Sequence, residues 1–238
     1  MQGAILAHGQ GTRLRSVTGG TPKTLIEVGA RSILERTLSV FHDVGIDQVT
    51  IIRNSEGAIL DRFASDANGM RVRVKVVEPQ GSLNAFAATE ALSDEGVLVV
   101  DGDLLFDPAD LMRMVAFAET QQGRTASLLV GITTEPGRDT APVRVQISPG
   151  LRVMSIGRGL EGTYTLSGMY VCRRSAYVGV QEILDTGVPS LARYLSWVVN
   201  RAELIGFPVG AVQDIDYPED LEAAEELIAS NYRRSTRG

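Results

Sequence analysis

Two stretches of the 238-residue chain carry the residue types and spacing that phosphate chemistry requires. Near the N-terminus the apolar run Ala4-Ile5-Leu6-Ala7 breaks into His8-Gly9-Gln10-Gly11-Thr12-Arg13-Leu14. A second turn, Gly19-Gly20-Thr21, then delivers Pro22-Lys23-Thr24-Leu25. Glycine lacks Cβ and tolerates positive φ, so such a loop brings backbone close to phosphate oxygens. Successive N–H groups there form an anion-binding concavity. Arg13 adds a planar fork of donors and Lys23 a compact point charge. Lys23 stands out because Lys75 is the only other lysine. The stretch reads as a strand feeding a loop that wraps a nucleoside triphosphate. Leu6, Ala7, Gly9, Gly11, Thr12, Arg13 and Lys23 are the expected nucleotide contacts, with Arg13 and Lys23 as the catalytic cations.

The second stretch is Asp101-Gly102-Asp103, directly after the apolar run Val97–Val100. Two carboxylates at the end of a buried strand suit Mg²⁺, which takes hard oxygen ligands, keeps waters and shares substrate phosphates. A further acidic segment, Asp214-Ile215-Asp216-Tyr217-Pro218-Glu219-Asp220-Leu221, follows late in the chain. On an extended backbone residues 214 and 216 share a face while 215 points away. Glu219 and Asp220 are expected to complement the N-terminus of a helix.

The elements that position these groups follow from periodicity. Ser32 predicts a helix N-cap with Glu35 completing a capping box. Ile33, Leu34, Leu38, Phe41 and Val44 then repeat at helical spacing, and Gly45 ends the helix. Strands are predicted at 48–52, 72–77 and 97–100, with helices at 56–64 and 83–92. Four β–α alternations in the first hundred residues predict a parallel sheet covered on both faces. Ligands in such sheets bind beyond the strands' carboxyl ends, where the opening loop and Asp101-Gly102-Asp103 both fall. Asp107 and Pro108 start a helix to 120. A strand at 125–132, a hairpin of 143–147 and 153–156, a strand at 163–172, helices at 175–185 and 189–200, a strand at 203–207 and an amphipathic helix at 218–230 complete the chain.

Composition bounds the function. A net charge of −6 gives no general basic surface for nucleic acid. No apolar stretch approaches the roughly 18 residues of a membrane span. No charged segment leads into an apolar one at the N-terminus. The single cysteine, Cys172, makes no internal disulfide and reads as a small buried hydrophobe. A cytoplasmic protein is therefore expected, without nucleic-acid or membrane partners and as a single domain. A homodimer through the second half is compatible with this. A nicotinamide-dependent oxidoreductase fits less well. Its G-x-G-x-x-G fingerprint meets Leu14 at the third glycine, and the second strand ends in Ile51-Ile52-Arg53 without an acid.

Gly9-x-Gly11-Thr12-Arg13-Leu14 followed by Pro22-Lys23-x-Leu25 resembles the nucleotidyltransferase superfamily that makes NDP-sugars and CDP-alcohols, with His8 where that family has a small residue. The resemblance implies a Rossmann-like three-layer αβα fold on a mostly parallel mixed sheet. It also implies an Mg²⁺-dependent transfer from an NTP to a small phosphorylated acceptor, and a division of the domain into a nucleotide-binding half over 1–107 and an acceptor-binding half over 108–238. It carries metal binding to Asp103 and to Asp216, with Asp214 second. Gln80, Gly81 and Ser82 fall in the base-reading segment. Residues 143–170 look like cytidylyltransferases acting on inositol phosphate and related alcohol phosphates, which favours CTP. There Arg158 replaces a lysine, and Leu166-Ser167-Gly168 replaces D-T-G, so Arg158, Ser167 and Gly168 are the expected acceptor contacts. A non-catalytic nucleotide-sugar-binding relative is the alternative; retention of Arg13, Lys23, Asp103 and Asp216 argues for the enzyme.

Overall fold

The computed structural model describes residues 1–9, 11, 14, 19–67, 69–78, 81–137 and 141–235. Thr12, Arg13 and Gln80, expected to touch nucleotide, lie outside the described residues. One mixed sheet contains β1 (Gln2–Ala7), β2 (Gln48–Arg53), β3 (Ser65–Ala67), β4 (Met70–Val76), β5 (Val97–Asp101), β6 (Leu128–Thr133), β7 (Arg144–Ile147), β8 (Val153–Gly157), β9 (Tyr164–Cys172) and β10 (Leu204–Pro208). The order is β8-β7-β9-β5-β1-β2-β4-β3, with β6 pairing β9 and β10. β1 lies between β2 and β5, parallel to both, and β2 continues parallel to β4. This is the arrangement that the β–α alternation predicts. The second half differs: β9 runs antiparallel beside β5, β6 and β7.

Helices cover both faces: α1 (Ile33–Asp43), α2 (Ser82–Ala87), α3 (Pro108–Ala118), α4 (Gln121–Thr125), α5 (Val180–Leu184), α6 (Leu191–Val198) and α7 (Asp220–Ser235). The strand period of two divides the core. Ala4, Leu6, Val97 and Val99 pack with Leu83 and Phe86 of α2 and Tyr194 and Leu195 of α6. Ile5, Ala7, Leu98 and Val100 pack with Leu34 and Phe41 of α1 and Leu111 and Met114 of α3. Being buried on both faces, β1 and β5 need unbroken apolar runs. Cys172 is fully buried in the first of these clusters. A third cluster joins Leu14, Ile26, Ile215 and Ala224, seating α7 beside the opening loop.

The predicted caps form. Ser32 Oγ accepts from Glu35 N–H and Glu35 Oε2 accepts from Ser32 N–H, while Gly45 takes φ +78° after α1. Asp107 caps α3 through Ala109 N–H at 2.9 Å. Three predicted helices are shorter or differently wound. Residues 55–63 form a 3-10 helix with a non-helical Gly57. Its exposed Ile59 leaves Leu60 as the fully buried anchor. The helix expected over 83–92 ends at Ala87, because Thr89 Oγ1 donates back to Phe86 carbonyl, and a short 3-10 turn follows. The 175–185 segment breaks at Gly179, whose φ of +64° and contact with Trp197 leave no room for a side chain.

The short stretch Leu104–Leu105 pairs antiparallel with Gln213–Asp214, stitching the two acidic segments together. Gly102 makes the junction possible. Its N–H donates to Leu6 carbonyl at 3.1 Å. A Cβ there would meet Leu6 oxygen at 2.9 Å, Thr24 Oγ1 at 3.0 Å and Ala7 Cα at 3.1 Å. Two of these obstacles are backbone, so relief requires the strand ends to part. Gly102→Ala is expected to cost about 1–3 kcal/mol, read as a lowered thermal midpoint; an unchanged midpoint would contradict this account of the glycine.

Candidate functional site

A cavity of about 470 Å³ opens over the carboxyl ends of β1 and β5. On one side Leu6, Ala7, His8 and Gly9 continue from β1, and Lys23 rises from a single 3-10 turn, Lys23–Leu25. That turn follows the Gly19-Gly20 bend, where both glycines take positive φ. Gly11 also has positive φ, +57°, and a Cβ there would come within 3.2 Å of Lys23 Cγ. The glycine spacing thus packs the opening loop against the lysine stem, a tertiary reason for Gly11 beside the phosphate-binding one.

Lys23 is the centre of the charge arrangement. Its ammonium donates to Asp103 Oδ2 at 3.0 Å and to Asp216 Oδ1. Only 12% of the lysine side chain is exposed, against 28% for Asp103. Burial works against the lysine's charge, but the Coulomb attraction of Asp103, followed by the pairing with Asp216, outweighs it and leaves the pKa raised. Asp216 is itself positioned. The carboxylate of buried Asp220 accepts from Asp216 N–H at 2.9 Å and Tyr217 N–H at 2.8 Å. Asp220 therefore shapes the loop carrying Asp216, more than the helix-end complementarity expected from sequence. Asp103 carbonyl accepts from Ile215 N–H at 3.1 Å, closing the junction.

Two further carboxyls line the cavity, Asp101 and Asp214. Enclosure pushes Asp101 up to about 8, with Asp103 adding repulsion. Enclosure and then Asp103, Asp101 and Asp216 raise Asp214 well above the usual carboxylate range. Among the described residues no group of three or more His, Cys, Asp or Glu is arranged to hold a metal ion. The donor set the structure offers is the pair Asp103 and Asp216, which already converge on one cation, the Lys23 ammonium. Two carboxylates with remaining positions left for water and phosphate suit Mg²⁺. Asp214, expected as a second choice of ligand, stands beside this pair as a carboxyl whose surroundings favour the proton.

The other sequence expectations divide. Arg158 and Gly168 line the cavity. Arg158 Nη1 donates to Ala141 carbonyl, and a Cβ on Gly168 would lie 2.9 Å from Asp101 Oδ2. Ser167 does not join them. It points to the opposite face of β9, its Oγ buried without a partner and facing Gly131. Ser82 lines the cavity, but its Oγ accepts from Leu191 N–H at 2.9 Å. Gly81 is outside the cavity lining, and a Cβ there would meet Pro189 at 2.6 Å, a packing reason for the glycine. His8 lines the cavity with Nδ1 buried and unpartnered among the described residues, its carbonyl accepting from Asn54 Nδ2. Burial lowers its pKa, keeping the ring neutral. At the end of β2, Arg53 makes a two-pronged pair with Asp61, so the place where a dinucleotide fold carries an acid holds a guanidinium. Sequence reasoning missed the raised pKa of half-buried Asp101 and the positioning role of Asp220; only the 216-to-220 spacing hinted at the latter.

The pKa of Asp101 makes a checkable statement about stability. Its folded value exceeds the unfolded one, so the folded chain keeps a proton that the unfolded chain releases above about pH 4. The group's contribution is fully present below that pH and is lost progressively towards pH 8. In metal-free protein, Asp101→Asn should gain on the wild type across this window, by about 1 kcal/mol or more at its upper end. Thermal midpoints compared at pH 4, 6 and 8 test this; a gap that stays constant rules it out.

Known proteins share sequence and fold with this chain. The bifunctional IPC transferase and DIPP synthase of Rubrobacter xylanophilus is 26% identical over 243 residues, covering 94% of this chain and 51% of that protein. The chain thus spans about half the length of that relative. The UTP–glucose-1-phosphate uridylyltransferase AglF of Haloferax volcanii is 23% identical over 256 residues, covering 99% of this chain and 100% of that one. In fold, the chain superposes on the inositol-1-phosphate CTP transferase from T. maritima with a TM-score of 0.80 at 22% identity, over 97% of this chain and 95% of that chain. A sequence model described as nucleotidyl transferase matches residues 2–139, more than half of the chain and all of the lysine-bearing side of the cavity, and the protein belongs to that family.

Proposed function

We propose that the protein transfers a nucleotidyl group from an NTP, CTP favoured, to the phosphate or phosphonate oxygen of a sugar, cyclitol or alcohol ester. The observation that carries this reading is the convergence of Lys23, Asp103 and Asp216 at the carboxyl ends of β1 and β5. An acceptor oxygen attacks the α-phosphorus, the bond to the bridging oxygen breaks, and pyrophosphate leaves. In-line displacement of this kind needs positioning and charge neutralisation, and no covalent protein intermediate. No general base is needed, because the acceptor is already an anion near neutral pH.

Each residue then has a defined task. Lys23 neutralises charge at the α-phosphate or the incoming phosphate. The opening loop, with Arg13, holds the triphosphate. Asp103 and Asp216 would hold Mg²⁺, and Asp220 keeps Asp216 in place. Bound there, Mg²⁺ supplies Lewis-acid neutralisation and a template for in-line transfer. Arg158 faces the acceptor from the second half. CTP is favoured because the chain's 143–170 segment resembles the alcohol-phosphate cytidylyltransferases and because the solved T. maritima neighbour is an inositol-1-phosphate CTP transferase.

Pyrophosphate release across CTP, UTP, dTTP, GTP and ATP, each with a range of phosphates and phosphonates, tests the reaction directly. CTP should give the fastest release, EDTA should abolish it and added Mg²⁺ restore it. Release from no pairing would refute nucleotidyl transfer. Lys23→Ala and Asp103→Ala should each lower turnover by about 100-fold or more while circular dichroism shows an intact fold. Wild-type rates in either variant would remove these residues from the mechanism.

A further inference from the structure

The cavity has two unlike ends, and this rests on the nucleotidyl-transfer reading for its chemical meaning. β9 supplies the clue. It runs antiparallel to β5 with Met169 opposite Val100, so Gly168 lies level with Asp101, and Leu166 falls past the carboxyl end of β5. Residues 166, 168 and 170 all line the cavity, although Gly168 leaves the regular strand path with φ +81° and the pairing with β6 shifts register between Leu166 and Tyr170. Leu166 thus shares with the acids the cavity that the organic part of a phosphate held at Lys23 would occupy.

Leu166 N–H donates to Val143 carbonyl at 3.0 Å, which sets two apolar residues of the lining side by side. Pro136, Leu191 and Ala192 are further apolar residues of the cavity. Of the polar side chains nearby, Ser82 Oγ accepts from Leu191 N–H, and Arg158, which gives one donor to Ala141 carbonyl, is the cation that the proposed reaction assigns to the acceptor's charged group. A hydroxyl pressed against these methyl groups loses its water without gaining a partner. Each such loss costs about five- to a hundred-fold in affinity. A sugar or cyclitol brings several hydroxyls; an alkyl chain brings none and gains from burial.

We propose that the acceptor is a phosphate or phosphonate on a short, sparsely hydroxylated carbon chain, and that Leu166 is a specificity-determining residue that turns polyol esters away. Of the chemistries open to the proposed reaction, this selects the alcohol-type acceptor over the sugar or cyclitol.

The test measures binding apart from turnover. Calorimetry on the full chain loaded with Mg²⁺ and the α,β-methylene analogue of CTP gives dissociation constants for propyl phosphate, propylphosphonate, glucose 1-phosphate and myo-inositol 1-phosphate. The two alkyl compounds should bind at least about tenfold tighter than the two polyol esters. Leu166→Asp should shrink or reverse that ratio by about tenfold, and Leu166→Ala should weaken the alkyl compounds without helping the polyols. Equal or tighter binding of the polyol esters to the wild type overturns the inference, as does an unchanged ratio in a folded Leu166→Asp variant. Neither result touches the nucleotidyl-transfer reading, which stands or falls on pyrophosphate release.

Discussion

The site depends on one partly buried electrostatic contact, the Lys23 ammonium held by Asp103 and Asp216. The three residues come from the first, middle and last parts of the chain. A partly buried ammonium is costly without opposite charge, and paired acids are costly without a cation. Each side therefore requires the other in the free protein. The backbone is arranged to meet this requirement: Gly102 lets the two strand ends touch, the Leu104–Leu105 pairing brings up the 213–216 segment, and Asp220 fixes the turn that aims Asp216. Removing any one of these supports would separate charges that were buried on the condition of meeting.

The mixed sheet gives the site its asymmetry. On the β1 side all neighbours run parallel, so their loops cluster over one edge and offer backbone to a ligand. On the β9 side the strand passes in the opposite sense and continues beyond the end of β5. Its side chains, unlike loop backbone, then become a wall. The β1 side thus contributes glycine and lysine to the cavity, while β9 contributes Leu166, Gly168 and Tyr170.

Much of this was legible in the sequence, for reasons that differ by residue. The alternation of apolar runs and helical patterns revealed β1, β2, β4 and β5, because buried parallel strands and amphipathic helices leave strong periods. Ser32, Glu35, Asp107 and Gly45 announced their caps through local hydrogen bonding alone. The acids around Gly102 and at 214–216 could be read as a pair because they end predicted strands. What stayed hidden was tertiary. Nothing local says that Gly81 is small for Pro189's sake or that Ser167 faces Gly131. The latter follows only once the register of β9 is known, since a shift of one residue reverses every side chain. The break at Gly179 likewise reflects Trp197, a residue 18 positions away.

The charge balance of the cavity carries one more consequence. Five aspartates, at 101, 103, 214, 216 and 220, line it, against Lys23 and Arg158 among the described residues. Fully ionised, such a wall would repel a triphosphate. Two features reduce the repulsion. Enclosure favours the protonated forms of Asp101 and Asp214, and Asp220 spends its carboxylate on two backbone N–H groups. That leaves Asp103 and Asp216 as the carboxylates facing the ligand, partly balanced by Lys23. On the proposed function, a divalent cation held by Asp103 and Asp216 would ease the entry of a polyanion by offsetting the charge of the phosphates and of these two acids. The acids that line the cavity are thus compatible with an anionic ligand because enclosure favours the proton on Asp101 and Asp214 and the two backbone N–H dipoles at Asp220 offset part of its charge.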